Sequence, residues 1–209
     1  MTADGTGDAQ LMLAIDAGEG AAERLAAVLA AVSLASVIVT PLGDRNAVAA
    51  LITEGQRRSV AMLVADDATL ARSLGADGVH LGVGEAPRER FEAARAVLGG
   101  KAIVGCDAGR SRHDAMTLGE LGADFVAFGV PDFVKDRDTA FDRQLELLSW
   151  WAEIFEVPSV GLNAASAEHA GAMAQAGADF VCLRLGSAMT VGEAVEQAQT
   201  WAAAIASDR

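Results

Sequence analysis

The 209-residue chain has no tyrosine, only four prolines, two cysteines and two lysines, Lys101 and Lys135. Each shortage excludes something. Two cysteines in separate apolar segments, Cys106 and Cys182, cannot build a disulfide framework and lack metal-ligand spacing; they read as buried, reduced thiols. Cations are scarce: 16 Lys+Arg face 29 Asp+Glu, for a formal net charge of −13. That balance excludes the basic stripe of a nucleic-acid binder and a docking face for anionic lipid. No apolar run approaches the ~20 residues of a membrane span. The first residues are small and acidic, unlike a signal peptide. The expectation is a cytoplasmic protein with no nucleic-acid or membrane partner. A phosphate ligand must then be held by a few placed donors or a metal.

What the sequence does contain is alternation. Short apolar runs occupy Leu11–Ala17, Ser36–Leu42, Val60–Ala65, Gly78–Gly82, Ala102–Cys106, Phe125–Val130, Pro158–Leu162 and Phe180–Gly186. Unbroken runs of this length suit parallel strands covered on both faces. Between them lie Ala-rich stretches with helical spacing, such as Leu25, Val28, Leu29 and Val32, or Phe91, Ala94, Val97 and Leu98. Strict alternation predicts a single-domain α/β fold, a compact (β/α)8 TIM barrel over residues 10–206 behind a flexible segment 1–9. A doubly wound sheet is the alternative, but no G-x-G-x-x-G follows the first strand.

Gly-Ala-Asp recurs at Gly75-Ala76-Asp77, Gly122-Ala123-Asp124 and Gly177-Ala178-Asp179, each time between a helix and a strand. Glycine suits the left-handed residue after a helix, and the aspartate is expected to hydrogen-bond its local turn. The repeats precede the fourth, sixth and eighth strands. They mark the face opposite the one where barrels place their chemistry, and read as structural.

At the other face the strands end in polar residues: Asp16, Thr40, Asp66-Asp67, Cys106-Asp107, Asn163, and Arg184 followed by Gly186-Ser187. Asp66, Asp67 and Glu85 are candidates for a divalent cation, since Mg²⁺ takes one or two carboxylates plus substrate phosphates. Asp67 also stands where an aspartate N-caps the third helix. His80 alternates into a strand and reads as a satisfied core histidine; His113 and His169 fall on polar helix positions. Trp150-Trp151 and Trp201 mark either a homodimer contact or helix-to-barrel packing.

The segment Leu74-Gly75-Ala76-Asp77-Gly78-Val79-His80-Leu81-Gly82 resembles the fourth strand of thiamine phosphate synthase, A-D-G-[VI]-H-[LI]-G. Met62–Asp67, Ala102–Gly105, Gly122–Gly129 and Ala176–Asp179 resemble other pieces of that family in the same order, over roughly residues 10–206. The resemblance implies coupling of an aminopyrimidine diphosphate to a thiazole phosphate, with release of diphosphate. It implies Mg²⁺ on the leaving group and a methylene that becomes cation-like before the thiazole nitrogen attacks. It places the metal on Asp66 and Glu85, and a phosphate-gripping lysine at Lys135. Arg184 joins Lys135 as a catalytic candidate. Asp107, Asn163, Ala164, Gly186 and Ser187 are the substrate- and phosphate-binding candidates.

The chain departs from the family pattern in places. Val83 stands for a glutamine and Glu85 for an aspartate after the fourth strand. Val39-Thr40-Pro41-Leu42 stands on the second strand where the family carries Gln, Arg and Lys, and Asp107 replaces a serine after the fifth. Asn163-Ala164 follows the seventh strand where the family has paired glycines, whose backbone allows close approach to phosphate. The alternatives are therefore a catalytically degenerate paralogue that binds phosphate ligands, or a thiazole tautomerase relying on an acid–base histidine.

Overall fold

The computed structural model describes residues 9–131 and 134–206. Eight parallel strands alternate with eight helices in chain order. They are β1 Gln10–Asp16, α1 Ala21–Ala31, β2 Ser36–Thr40, α2 Arg45–Gln56, β3 Ala61–Ala65, α3 Ala68–Leu74, β4 Gly78–Leu81 and α4 Pro87–Leu98. There follow β5 Ile103–Asp107, α5 Arg112–Glu120, β6 Phe125–Phe128, α6 Arg137–Ile154, β7 Ser159–Gly161, α7 Ala167–Gln175, β8 Phe180–Leu185 and α8 Val191–Ala206. Each strand pairs with its successor and β8 returns to β1, closing the barrel. The closure rules out the doubly wound alternative. Of the expected flexible segment 1–9, all but Ala9 lies outside the described residues.

Side-chain alternation divides the apolar residues into two cores. Outward positions such as Leu13, Val39, Val64, Val79, Val126 and Leu183 pack under the helices. Inward positions such as Met12, Ala14, Ile38, Leu63, Phe125, Ala127, Val160 and Cys182 fill the barrel. Both cysteines are buried and free, and burial pushes each thiol up to about 12. Trp151 and Trp201 are buried and Trp151 Nε1 donates to Val157 O at 2.7 Å, so both serve helix-to-barrel packing.

The Gly-Ala-Asp repeats are structural, with one correction. Gly75, Gly122 and Gly177 adopt φ of 67°, 83° and 93°, the left-handed turn that glycine permits. Their aspartates, however, reach past the local turn to the neighbouring strand. Asp77 accepts the Met62 N–H, Asp124 the Val104 N–H, and Asp179 the Ser159 N–H, at 2.8, 2.8 and 2.7 Å. Each repeat thus ties the start of an odd strand to the even strand that follows. At the opposite face, Asp67 caps α3 by accepting the Leu70 N–H at 2.7 Å, as expected of an aspartate there.

Candidate functional site

The mouth of the barrel is set by the same alternation. Met12 and Ala14 point inward, so Asp16 at the end of β1 does too; Phe180 and Cys182 likewise carry Arg184 inward on β8. Where those strands meet, Arg184 Nη1 donates to Asp16 Oδ1 at 2.9 Å. Arg184 therefore lies at the mouth as expected, but its charge is already engaged by a partner 168 residues away in sequence.

A second cluster forms where β3 and β4 end. Asp66 adopts a left-handed backbone, φ 56°, which Asp tolerates better than most residues. The turn brings its carboxylate back over β4, where Oδ1 accepts the Gly82 N–H at 2.8 Å and Arg90 Nη2 at 2.7 Å. Arg90 reaches back from the first turn of α4 and also donates from Nη1 to Gly82 O at 2.6 Å. Directly below lies His80, inside the barrel and stacked on Phe125 at 5.8 Å and 10°. The Phe125 ring fits beside it because β5 offers Gly105 there; a Cβ at that position would fall within the Phe125 ring. Burial lowers the His80 pKa to about 4, against the pull of the Asp66 charge. Its Nδ1 has no hydrogen-bond partner. His80 is thus a core histidine as expected, but not a satisfied one.

Asp107 and Asn163 form a third group. A Cβ placed on Gly129 would lie 3.3 Å from Asp107 Oδ2 and 3.4 Å from Asn163 Nδ2, so both side chains close over the same glycine. Asn163 has φ 59° and donates to Val130 O at 3.3 Å. Asp107 accepts the Gly109 N–H at 2.7 Å. Burial raises its pKa to about 6; the Gly109 bond opposes the shift and the Asp66 charge adds to it.

The other expected residues are dispersed. Lys135, Glu85 and Ser187 are exposed on loops and make no ion pair or hydrogen bond among the described residues. Ala164 packs against the outer core, and the Gly186 N–H is engaged by Met189 Sδ at 3.2 Å. His113 is exposed on α5 rather than placed at the end of β5, so it cannot serve as an acid–base group in the mouth. Sequence reasoning missed Arg90, and it did not select Asp16 as a site residue. The only signal for Arg90 is an arginine one turn into the helix that follows Gly82.

A family model described as thiamine monophosphate synthase matches residues 43–186. The chain belongs to the thiamine monophosphate synthase family. The match begins just after β2, so the departure at Val39-Thr40-Pro41 falls outside it, while those after β4, β5 and β7 lie within it. Thiamine-phosphate synthase of Rhodospirillum centenum is 43% identical over 130 residues, 61% of this chain and 60% of the relative. That of Hyphomonas neptunium is 41% identical over 138 residues, 66% and 61% of the two chains. The matches span about 60% of the length of these curated relatives. Among solved structures, a thiamine phosphate pyrophosphorylase from Pyrococcus furiosus superposes with a TM-score of 0.74 at 18% identity, covering 95% of this chain and 96% of that one. The likeness at that identity establishes the shared barrel. No helix of the described residues is long and apolar enough to cross a membrane.

Proposed function

We propose that this family member couples an aminopyrimidine diphosphate to a thiazole phosphate at the barrel mouth and releases diphosphate. The observation that carries this reading is the Asp66 turn, which holds a carboxylate over the end of β4 within the segment matched to the family. In the reaction the C–O bond between the pyrimidine methylene and the diphosphate breaks, and its electron pair leaves with the diphosphate. The thiazole ring nitrogen then supplies the pair that forms the new C–N bond.

The family implies Mg²⁺, and Asp66 is the carboxylate that would hold it. Asp66 keeps one oxygen, Oδ2, free of hydrogen bonds, and Glu85 is exposed on the loop that follows Gly82. Mg²⁺ is commonly held by one or two carboxylates and completed by water and phosphate oxygens. No group of three or more acidic, histidine or cysteine ligands gathers among the described residues, so the protein supplies a foothold rather than a cage. When bound there, Mg²⁺ would offset the charge that develops on the leaving diphosphate.

The chain's own groups do the rest. Arg90 holds the Asp66 carboxylate in place and tempers its charge. Lys135, unpaired among the described residues, and Arg184 are the cations offered to phosphate oxygens. Asn163 and Asp107 offer neutral and acidic polar atoms over Gly129, where a heterocycle bearing N–H groups can be received. Asp107, titrating near 6, is the acceptor that distinguishes this mouth. His80 stays neutral above about pH 4 and adds no charge beneath the substrate.

The test is product formation from the two phosphorylated precursors with Mg²⁺, comparing the unaltered protein with Asp66→Asn. Turnover that falls by about 10²-fold or more in the variant supports the assignment. A folded protein without turnover at saturating precursors overturns it. A second reading has its own support: Arg184 and Arg90 are both committed to ion pairs, which suits a paralogue that binds a phosphate ligand without chemistry. Binding of either precursor without product would select it.

A further inference from the structure

Of the thirteen arginines among the described residues, ten make an ion pair or a hydrogen bond to a carbonyl or hydroxyl oxygen. The three that do not are Arg110, Arg112 and Arg143, and all three line one groove between α5 and α6. The groove has a volume of about 600 Å³ and is completed by Glu146 and Leu147. α5 and α6 pack closely beside it, since a Cβ on Gly119 of α5 would lie 3.0 Å from the Trp151 ring of α6. Arg112 lies over the Trp150 ring at 4.7 Å, and Arg143 acts on the Asp136 carboxylate only through space.

In a chain of net charge −13, three arginines with no ion pair or hydrogen bond among the described residues, gathered in one concavity, are unusual. Of the other ten, six pair with a carboxylate and four, Arg24, Arg45, Arg72 and Arg137, donate to carbonyl or hydroxyl oxygens. Here three guanidinium groups face one carboxylate, for a lining charge of about +2. The volume lies within the range of small-molecule pockets, and forked guanidinium donors match the oxygens of a phosphoryl group. The first turn of α5 adds the positive end of its dipole, because Arg112 is its first residue. We propose that this groove is a second anion site, outside the barrel mouth, that takes a small phosphoryl-bearing ligand. The inference does not rest on the coupling reaction, since Asp66, Arg90 and Arg184 take no part in the groove.

Inorganic diphosphate and inorganic phosphate are the probes, titrated by calorimetry and by tryptophan emission, because an anion that draws Arg112 off Trp150 alters that indole's surroundings. Saturable binding with an emission change is expected. The double variant Arg110→Gln/Arg143→Gln weakens it about tenfold or more. Glu146→Gln, which removes the one repulsive charge, tightens it a few-fold, and the emission change, which reports the groove alone, persists in Arg184→Gln. All substituted groove residues are exposed at the charged end, and thermal unfolding by circular dichroism confirms the fold. Diphosphate binding tighter than phosphate indicates a ligand with two phosphoryl groups; equal binding indicates a monophosphate. Either no saturable binding up to about 10 mM, or binding that Arg184→Gln abolishes and the double variant spares, overturns the proposal.

Discussion

Arg90 Nη2 lies 2.7 Å from Asp66 Oδ1, so the carboxylate proposed to hold Mg²⁺ already has a cation beside it. The guanidinium stands in for part of the charge a divalent ion would bring. It also competes with that ion when substrate is absent. Arg90→Gln is therefore expected to tighten Mg²⁺ binding to the substrate-free protein. The pair is partly exposed, and such pairs contribute about 1 kcal/mol or less, so the change is about three- to fivefold. Isothermal titration with Mg²⁺ checks it. Weaker binding in the variant would mean that Arg90 mainly positions Asp66 rather than competing for it.

The two unusual titrating groups of the mouth act on stability in opposite directions. Burial holds His80 near pKa 4, below its ordinary 6.5, so between these values the unfolded chain carries a proton that the native one lacks, and stability rises with pH. Burial pushes Asp107 up to about 6 from 3.8, so over that span the native chain carries the extra proton and stability falls with pH. From about pH 4 to 6 the slopes, each about 1.4 kcal/mol per pH unit, largely cancel. Removing one exposes the other. Asp107→Asn is expected to gain about 2 kcal/mol of stability between pH 4.5 and 6, and His80→Phe to lose as much, each relative to the unaltered chain. Urea unfolding across that range measures both; parallel curves for all three proteins would contradict the assignment.

The barrel was legible because its signals are local. Strand-length apolar runs mark both faces of each strand as covered, and Asp67 precedes a helical stretch in the place of a cap. The Gly-Ala-Asp repeat was legible as a repeat, but the target of its aspartate was not, because the accepting carboxylate serves the preceding strand rather than its own turn. The site was less legible for the same reason. Asp66 stood out as a carboxylate at a strand end, yet Arg90 meets it only because α4 turns back over Gly82. Asp16 and Arg184 meet only because β8 closes onto β1. Lys135 was chosen by resemblance, and its exposed position on the loop before α6 neither adds a partner nor removes one.

The three aspartates of the repeat give a stability prediction free of the mouth. Replacing Asp179 by alanine leaves the N–H of Ser159, a fully buried residue, without its acceptor and removes a contact to the Ser159 hydroxyl. An unsatisfied buried donor costs about 1–3 kcal/mol. Asp179→Ala is expected to lower the urea midpoint accordingly, while ligand affinity at the opposite end of the barrel stays unchanged. Asp77→Ala exposes the Met62 N–H in the same manner and is expected to fall in the same range. A loss of ligand affinity at constant stability would show that the repeat does more than tie strands together.

The seam pair Asp16–Arg184 yields the sharpest test of the proposed phosphate contact. Arg184 is half-exposed and, among the described residues, holds its one hydrogen bond with Asp16, so a phosphate that uses the guanidinium must share it with that carboxylate. Asp16→Asn keeps the shape of the side chain and removes its charge. Arg184 is then freer to meet a phosphate oxygen. If Arg184 grips substrate, Asp16→Asn is expected to lower KM for the phosphorylated thiazole several-fold, and Arg184→Gln to raise it about tenfold, the loss of one charge-assisted hydrogen bond. If Arg184 only ties β8 to β1, both substitutions lower the unfolding midpoint by similar amounts and leave KM alone. Steady-state kinetics and urea unfolding on the same two proteins separate these outcomes, because the gripping role moves KM in opposite directions while the structural role moves stability in one.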